Sequence, residues 1–300
     1  MGEILVCDWG TSSFRLMRVS ASGEILAQVA TDQGVKQLNP EDMEAYLKAQ
    51  MATLGSVNDL VILCGMVGSG IGWYEVPYVN CPASMYLLSE ALVQIPNTEL
   101  RAWCVPGVKL ETPDGRADVM RGEETQVIGW LSEATQGDRA KSVLCLPGTH
   151  SKWVQIECGE ICEFSTAFTG ELYALLNEYS VLVQGEQTVS DVAFTAGLAV
   201  SEKTSGLIHQ LFNARSRSLL GMQSPMDSAS FLSGMLIGSE VGAMAASLDR
   251  DTKVHLICGD YLAEPYGMAL KYFDVPYIHY SGNTYSALGL KALADASSEI

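Results

Sequence analysis

Near its start the chain contains Ile4-Leu5-Val6-Cys7-Asp8-Trp9-Gly10-Thr11-Ser12-Ser13, and the prediction of the fold begins with these residues. Residues 3–8 form a short, mostly apolar run that ends in an acidic residue, which is the pattern of a buried strand. Turn-forming residues follow at positions 10–13, and residues 14–19 then alternate between apolar and polar side chains. We therefore predict a β-hairpin at the start of the chain.

The same pattern occurs a second time. Residues 143–156 again contain an apolar strand, the pair Gly148-Thr149, one further residue, a serine and a second strand. Gly10 and Gly148 are 148 − 10 = 138 residues apart, about half of the 300-residue chain. A repeat of that length indicates a duplicated domain, because solenoid repeats are roughly 20 to 50 residues long.

The charge balance excludes some classes of partner. The chain has 18 Lys and Arg against 35 Asp and Glu, a net charge of −17. It therefore lacks the basic surface that nucleic acids and anionic membranes require, and we expect neither as a partner. A phosphate ligand would have to be held by backbone amides, by a metal ion or by a few well-placed cations.

The cysteines and the apolar stretches favour a cytoplasmic protein without a metal–thiolate site. Most of the eight cysteines lie in apolar runs and are expected to be buried, reduced thiols. Only Cys158 and Cys162 are close in sequence, and no second His/Cys pair completes a zinc site. The first residues do not resemble a secretory signal, and the apolar stretch 231–248 carries Glu240, which indicates a core helix and not a membrane span.

The two Gly-Thr-x-Ser turns are candidates for phosphate binding. Such a turn presents backbone N–H groups and hydroxyls, and its glycine lets an oxyanion approach the backbone closely. One turn alone is weak evidence, whereas two, each after a buried strand, favour the interpretation. Asp8 precedes only the first turn, where a single carboxylate could hold Mg²⁺, although Asp8 could also be a simple turn former.

Periodicity and turn signals predict the other elements. The apolar run 60–64 predicts a buried strand, and the glycine-rich residues 65–72 follow it where ligands of open α/β sheets bind. Asn39 is a predicted N-cap for a helix that ends near residue 54, and residues 73–118 predict loops with short strands. The remaining predicted strands are 25–30, 141–146, 254–258 and 275–279, and the remaining predicted helices are 123–136, 169–180, 190–213, 227–248, 262–272 and 284–296.

A set of motifs in a fixed order carries a family resemblance. They are Asp8-Trp9-Gly10-Thr11-Ser12-Ser13 with Arg15, Gly65-Met66-Val67-Gly68-Ser69 with Gly72-Trp73 and Pro77-Tyr78, Asp118-Val119-Met120-Arg121-Gly122-Glu123-Glu124-Thr125-Gln126, Leu146-Pro147-Gly148-Thr149-His150-Ser151-Lys152-Trp153, and Thr169-Gly170-Glu171-Leu172. Together they resemble the 2-dehydro-3-deoxygalactonokinases, within the superfamily of sugar kinases, actin and heat-shock chaperones. The resemblance extends over most of the chain.

The resemblance implies an α/β fold of duplicated ribonuclease-H-like domains, as in actin and hexokinase, with an interdomain cleft. Residues 1–138 would form the domain with the sugar-acid pocket, and residues 139–300 the domain with the adenosine site. The implied activity is ATP-dependent phosphorylation of 2-dehydro-3-deoxy-D-galactonate at its 6-hydroxyl in galactonate degradation, with ATP and Mg²⁺ as cofactors. The gluconate epimer stays open as the substrate, and so does a homodimer as the oligomeric state.

The resemblance also implies which residues bind the phosphates and the metal. Asp8 would hold Mg²⁺. Lys152 would either add a positive charge at the phosphates or be a solvated strand residue, and His150 would contribute a phosphate contact at most. The complete phosphate set is Gly10, Thr11, Ser12, Ser13, Gly148, Thr149, His150, Ser151 and Lys152.

The catalytic base is expected in the segment 118–124. Similar kinases have a Gly-Asp pair at the start of a helix before the second phosphate hairpin, and Gly122-Glu123 stands in that place. Glu123 is the first choice, with Asp118 and Glu124 as alternatives. Glu123 and Glu124 could also serve only to stabilise the helix N-terminus through its dipole.

The substrate and adenosine sites complete the assignment. Arginine suits a carboxylate, so Arg121 is the first candidate for the sugar acid and Arg15 the second. Adenosine is expected after the predicted strand 254–258. The wider superfamily has two adjacent glycines there, and this chain has Gly259-Asp260. The other assigned residues are Gly68, Ser69 and Trp73 for the sugar, with core packing as the alternative for Trp73, Tyr74 and Tyr78, and Gly259 and Asp260 for adenosine.

Two other functions compete with the kinase. A phosphatase on the same fold would use water in place of the sugar hydroxyl. A nucleotide-dependent assembly or sensor protein would bind ATP without turning over a small molecule, although 300 residues leave little room for an added interaction domain.

Overall fold

The predicted hairpin opens the chain. Strands β1 (Ile4–Trp9) and β2 (Phe14–Val19) pair antiparallel. In this register Asp8 lies opposite Arg15, and Trp9 lies opposite Phe14. The structure is a computed structural model that describes residues 2–55, 60–203 and 206–300.

The other elements follow in chain order. The strands are β3 (Ile25–Thr31), β4 (Leu60–Cys64), β5 (Val79–Asn80), β6 (Val93–Gln94), β7 (Arg101–Cys104), β8 (Val108–Glu111), β9 (Ala117–Met120), β10 (Lys141–Leu146), β11 (Ser151–Glu157), β12 (Glu160–Ala167), β13 (Val254–Cys258) and β14 (Tyr277–Ser281). The helices are α1 (Met43–Thr53), α2 (Met85–Glu90), α3 (Glu123–Glu133), α4 (Gln136–Ala140), α5 (Thr169–Tyr179), α6 (Asp191–Ser201), α7 (Leu207–Gln210), α8 (Asn213–Leu219), α9 (Ser228–Ala245), α10 (Asp260–Tyr272) and α11 (Gly282–Ala296).

Strand order confirms the duplication. The first large sheet has the order β3-β2-β1-β4-β7-β6, and the second has the order β12-β11-β10-β13-β14. In each sheet the first three strands lie in reverse order and are followed by the fourth, which is β4 in the first sheet and β13 in the second. The next strand is β7 in the first sheet, with β6 at its outer edge, and β14 in the second. The two copies of the hairpin, β1–β2 and β10–β11, therefore occupy equivalent places in their sheets.

The chain divides into two compact units that are not continuous in sequence. The first comprises Met1–Leu144, Val154–Ser165 and Tyr280–Ile300. The second comprises Cys145–Trp153 and Thr166–His279. The division of the two domains after residue 138 stays a prediction.

The core of each unit is formed by apolar side chains of its strands and helices. In the first unit, the Trp9 and Tyr46 rings both pack against Phe14, with ring centroids 4.8 and 5.1 Å apart. In the second unit, buried residues of α9 pack against α6. Among the described residues, we find no helix with the length and apolarity needed to cross a membrane.

Several predicted elements differ from the structure. The helix predicted over 190–213 is wrong, because its described residues form α6, α7 and the start of α8, with Gly206 at φ +79°; residues 204 and 205 lie outside the described residues. Helix α1 begins at Met43, after a short 3₁₀ turn, and the Asn39 side chain donates to Asp42 instead of capping the helix.

Helix α2 and strand β12 were not predicted from the sequence. Helix α2 lies in the segment that was predicted to contain only loops and strands. Strand β12 follows β11 through the two-residue loop Cys158-Gly159, in which both residues have positive φ, as tight hairpin turns require. Cys158 is exposed, whereas Cys7, Cys64, Cys104, Cys145 and Cys258 are buried, as expected for most of the cysteines.

The last helix packs closely on α3. A Cβ atom at Gly289 of α11 would lie 1.7 Å from the Thr125 carbonyl oxygen of α3, so the two backbones are in direct contact. Both helices belong to the first unit, and this contact fixes the position of α3.

Candidate active site

The first turn is held by backbone hydrogen bonds. The Gly10 N–H donates to the Ser13 carbonyl at 2.8 Å, and the Gly10 carbonyl accepts the Val35 N–H at 3.0 Å. The Thr11 carbonyl accepts the Lys36 N–H at 3.2 Å. The carbonyl groups are thus fixed by the segment behind the turn, while the Ser12 and Ser13 residues are exposed.

Asp8, at the end of β1, forms an ion pair with its cross-strand neighbour. Arg15 Nη1 lies 3.2 Å from Asp8 Oδ2, and about a quarter of each side chain is exposed. Burial raises the pKa of Asp8, the Arg15 guanidinium opposes this effect, and the nearby Glu123 carboxylate raises the pKa further. Asp8 and Glu123 are therefore close enough for their charges to interact.

Two glycines explain how residues so far apart in sequence come together. Gly65 follows β4 with φ +88°, and a Cβ atom there would lie 2.8 Å from the Trp9 carbonyl oxygen. Gly122 caps α3 with φ +111°, and its Cβ atom would lie 3.3 Å from the Gly65 Cα. Only glycine tolerates these conformations and contacts. The ends of β1 and β4 and the start of α3 therefore meet.

The three candidate bases differ in their surroundings. Glu123 is half-buried in the first turn of α3, and its Oε2 accepts the Arg121 N–H at 3.2 Å. Glu124 is fully buried, and its Oε2 accepts the Gly122 N–H at 2.7 Å. Asp118 lies on β9, where its Oδ1 accepts the Val119 N–H at 2.8 Å. The structure therefore places Glu123 near Asp8 and encloses Glu124.

Burial raises the pKa of Glu124 to about 8, and the charge of Glu123 contributes in the same direction. The Gly122 N–H bond and the Arg121 charge only partly oppose this shift. Glu124 Oε1 is buried and has no hydrogen-bond partner among the described residues. Glu124 is therefore protonated over most of the neutral range, whereas a general base must be ionised.

Arg121 has unused donors. Its Nη2 donates to the Val76 carbonyl at 2.7 Å, and its guanidinium carbon lies 4.3 Å from the centroid of the Tyr78 ring. Within the described part of the chain, the buried Nε and Nη1 atoms have no hydrogen-bond partner. A Cβ atom at Gly68 would lie 2.9 Å from Nη1, so this glycine provides the space for the guanidinium.

The other substrate candidates have different environments. The Ser69 hydroxyl donates to the Met66 carbonyl at 2.7 Å and shapes its own turn. Trp73 packs against the hydrophobic core of the first unit, as the core-packing alternative predicts. Tyr74 and Tyr78 are exposed, so core packing does not describe them.

The second turn belongs to the second unit. Lys152 is only 3% exposed and its Nζ donates to the His150 carbonyl at 3.0 Å, so the solvated alternative for Lys152 is wrong. His150 Nε2 lies 2.5 Å from Glu171 Oε2, and its ring stacks on Phe168 with centroids 5.2 Å apart. These contacts orient His150, and its phosphate role stays a prediction.

Helix α5 packs directly on this turn. The Glu171 N–H donates to the Thr149 carbonyl at 2.9 Å. A Cβ atom at Gly170 would lie 2.2 Å from the Gly148 carbonyl oxygen, so only glycine allows this approach. The turn and the N-terminus of α5 therefore form one rigid surface.

A cavity of about 420 Å³ in the second unit adjoins the turn. Most of its lining residues, in α5, α9 and α10, were not identified from the sequence. Gly259 and Asp260 precede the part of α10 that faces the cavity and are not among its lining residues. The lining residues are Gly148, Thr149, Thr169, Gly170, Glu171, Tyr173, Ala174, Ser233, Leu236, Ile237, Tyr261, Leu262, Pro265 and Tyr266.

Comparisons with known proteins give the family. The family model described as 2-keto-3-deoxy-galactonokinase matches residues 8–293. The 2-dehydro-3-deoxygalactonokinase of Escherichia coli K12 is 32% identical over 294 residues, which is 97% of each chain. The chain belongs to the 2-keto-3-deoxy-galactonokinase family. The matched residues include Asp8, both turns and the segment 118–124.

Solved structures agree with this family and with the fold. A Sinorhizobium meliloti crystal structure assigned to the 2-dehydro-3-deoxygalactonokinases has a TM-score of 0.88 at 30% identity and covers 98% of each chain. The Clostridium difficile activator of 2-hydroxyisocaproyl-CoA dehydratase, solved with bound ADPNP, has a TM-score of 0.55 at 11% identity and covers 98% of this chain and 95% of its own. The predicted α/β fold of duplicated ribonuclease-H-like domains is confirmed.

Proposed function

We propose that this chain transfers the γ-phosphoryl group of ATP to the 6-hydroxyl of 2-dehydro-3-deoxy-D-galactonate, a step of galactonate degradation. The family match and the name of the Escherichia coli relative support this reaction. The observation that carries the proposal is the arrangement in the first unit, where Glu123 lies near Asp8 and Arg121 has two buried, unused donors. Glu123 would be the base, Asp8 the metal ligand and Arg121 the residue that binds the substrate carboxylate.

Asp8 fits the role of a Mg²⁺ ligand. Among the described residues there is no group of three or more His, Cys, Asp and Glu that could hold a metal ion alone. Mg²⁺ in kinases is usually held by one or two carboxylates together with substrate phosphates and water, so a single carboxylate is sufficient. Burial raises the pKa of Asp8 because it destabilises the ionised carboxylate, and a nearby cation would stabilise that ionised form. When bound, the ion would neutralise charge on the transferred phosphoryl group.

Glu123 is the proposed general base. It lies in the first turn of α3, where the helix dipole stabilises a carboxylate. It would accept the proton of the 6-hydroxyl as this oxygen bonds to the γ-phosphorus and the bond from that phosphorus to the bridging oxygen breaks, with ADP as the leaving group. Glu124 is fully enclosed, so we assign it to holding the start of α3.

Arg121 is the proposed partner of the substrate carboxylate. Two guanidinium nitrogens, Nε and Nη1, are buried without a partner in the described structure, and an Arg–carboxylate pair would satisfy them. Arg15 is already paired with Asp8, which makes it the weaker candidate. Gly68 and Ser69 would shape this pocket from the loop after β4.

The second turn and the cavity that adjoins it are the proposed ATP site of the second unit. The turn at 148–151, with Lys152, would bind phosphate oxygens there, and residues 10–13 of the first unit stay predicted phosphate-binding residues. The cavity next to the second turn has aromatic and apolar walls, including Tyr173 and Tyr261, that suit an adenosine group. Gly259 and Asp260 stay predicted adenosine residues at the start of α10.

A coupled ADP-release assay with Mg²⁺-ATP tests the proposal. The galactonate acid and its gluconate epimer are compared as acceptors for the wild type, Glu123→Gln and the control Glu111→Gln, whose carboxylate is exposed and pairs with Lys109. We expect acid-dependent ADP release that falls by about 10²- to 10⁴-fold in Glu123→Gln only. Release without an acid would support an assembly protein, and no turnover of either acid would contradict the proposal.

A further inference from the structure

Glu240 of α9 is a buried carboxylate outside the proposed catalytic residues. It is 8% exposed. Its Oε1 accepts the Trp153 indole N–H at 2.9 Å, and its Oε2 accepts the Tyr266 hydroxyl at 2.8 Å and the Thr169 hydroxyl. Three donors from three different elements therefore converge on one side chain.

Each of these donors is connected to the second turn or to the cavity. Thr169 begins α5 and lines the cavity, one residue before Gly170, which contacts the Gly148 carbonyl. Trp153 lies on β11, two residues after Ser151 of the turn. Glu240 thus joins α9 to β11, α5 and α10 around the place where the turn and the cavity meet.

The hydrogen bonds of Tyr266 extend the network into the turn itself. The Tyr266 hydroxyl lies 3.3 Å from Ser151 Oγ, and its ring lines the cavity. Burial and, secondarily, the charge of Glu240 raise the pKa of Tyr266 well above its usual range, so the hydroxyl stays protonated and donates. Tyr266 therefore connects Ser151 of the turn to the Glu240 carboxylate.

A buried carboxylate is an expensive choice for packing alone. Taking a carboxylate out of water is costly, and apolar side chains of similar volume often serve a core as well or better. Its three donors compensate part of that cost and fix the geometry of four elements at once. We therefore interpret Glu240, an acidic residue in the apolar helix α9, as a residue that holds these elements in a fixed arrangement.

We propose that Glu240 is a positioning residue for nucleotide binding, which holds the second turn and the walls of the adjoining cavity in the arrangement that ATP requires. This inference rests on the proposed function, because it takes the cavity and the turn as the ATP site. Glu240 itself would not contact the nucleotide. Its effect would pass through Thr169, Tyr266 and the β11 strand.

The test uses Glu240→Gln in the full-length protein. Glutamine keeps the size and one acceptor, which can still face Trp153, but its amide group replaces the oxygen that accepts from both hydroxyls. We expect the Kd for ADP, measured by calorimetry, and the KM for ATP to rise on the order of ten-fold, because hydrogen bonds to a charged group are lost. The KM for the sugar acid and kcat at saturating ATP should stay within about two-fold of the wild type.

Two further variants separate positioning from general stability. Glu202→Gln makes the same change in the second unit, at an exposed carboxylate that accepts the Tyr272 hydroxyl at 2.6 Å, and it should leave the Kd for ADP unchanged. Trp153→Phe removes a donor to Glu240 without touching the cavity wall, and it should weaken ADP binding in the same direction as Glu240→Gln. Thermal unfolding confirms that each variant is folded.

The outcomes for the inference and for the proposed function are distinct. ADP binding that is equal in the folded wild type and Glu240→Gln would overturn the inference, and so would a parallel change of kcat and both KM values. Weaker ADP binding in Glu240→Gln, with no turnover of any sugar acid by the wild type, would support the inference and overturn the proposed reaction. A wild type that binds no ADP would overturn both.

Discussion

Asp8 and Arg15 lie directly opposite each other on β1 and β2, and Arg15 Nη1 is 3.2 Å from Asp8 Oδ2. The pairing register therefore places a cation beside the proposed metal ligand. Because the Arg15 charge lowers the pKa of Asp8 against the effect of burial, Arg15 helps to keep that carboxylate ionised. This relationship leads to two predictions, one for each partner.

Replacing Arg15 by methionine should shift the pH dependence of activity. Without the guanidinium the pKa of Asp8 rises further, so ionised Asp8 is lost at a higher pH as the solution is acidified. We expect the acid limb of kcat/KM against pH to move to higher pH, with little change in the KM for the sugar acid. A large rise of that KM at neutral pH, with an unmoved acid limb, would instead identify Arg15 as the carboxylate-binding residue.

Replacing Asp8 by asparagine should raise the Mg²⁺ concentration needed for activity. An amide has the shape of the carboxylate but no charge, and Mg²⁺ prefers charged oxygen ligands. We expect half-maximal activation to require about ten-fold more Mg²⁺, measured at saturating substrates. Asp32→Asn, at an exposed position, is the matched control. Identical Mg²⁺ titrations of Asp8→Asn and the wild type would exclude Asp8 as a ligand.

A methyl group at Gly68 should displace the Arg121 guanidinium. The added Cβ atom would lie 2.9 Å from Arg121 Nη1 and 2.8 Å from Cys104 Sγ, so the arginine must move. We expect Gly68→Ala to raise the KM for the sugar acid at least several-fold and to leave the Kd for ADP unchanged. At Gly70 the nearest atom to a new Cβ is 3.7 Å away, so Gly70→Ala is the control. Equal KM values for both variants would contradict the role of Arg121.

Replacing Glu124 by glutamine should change the pH dependence of stability. The pKa of Glu124 is raised to about 8, so the folded state binds a proton that the unfolded chain has already lost above about pH 4.3. The stability that Glu124 contributes is therefore fully present below about pH 4.3 and is lost as the pH rises toward 8, a loss on the order of 5 kcal/mol. We expect the free energy of unfolding of Glu124→Gln, from urea titrations at pH 5 to 8, to fall less than that of the wild type. Parallel curves would contradict the protonated state of Glu124.

Local sequence patterns were sufficient to predict much of the fold. The hairpin, its repeat and the buried strands 60–64 and 254–258 depend on short apolar runs and turn residues, which are local signals. The break between α6 and α7 was missed because apolar residues resume at Leu207, although α6 ends at Ser201 and Gly206 precedes α7 with a positive φ. Strand β12 was missed because its alternation is weak beside the exposed Cys158.

The site was predictable where it follows a motif and not where it depends on long-range contacts. Asp8, Arg121 and Glu123 lie in motifs, and the structure brings them into one unit. The cavity residues Tyr173 and Tyr261 come from helices far apart in sequence, and no local pattern relates them. Buried Lys152 could not be distinguished from a solvated strand residue, because strand alternation alone does not say which face is covered.

The most direct test of the central claim is to identify the product. The purified protein is incubated with Mg²⁺-ATP and 2-dehydro-3-deoxy-D-galactonate, and the product is examined by ³¹P NMR with proton coupling. We predict one phosphomonoester, whose phosphorus couples to the two protons on C6, formed in equal amount with ADP. Inorganic phosphate in place of the ester, or ATP left unconsumed, would contradict it.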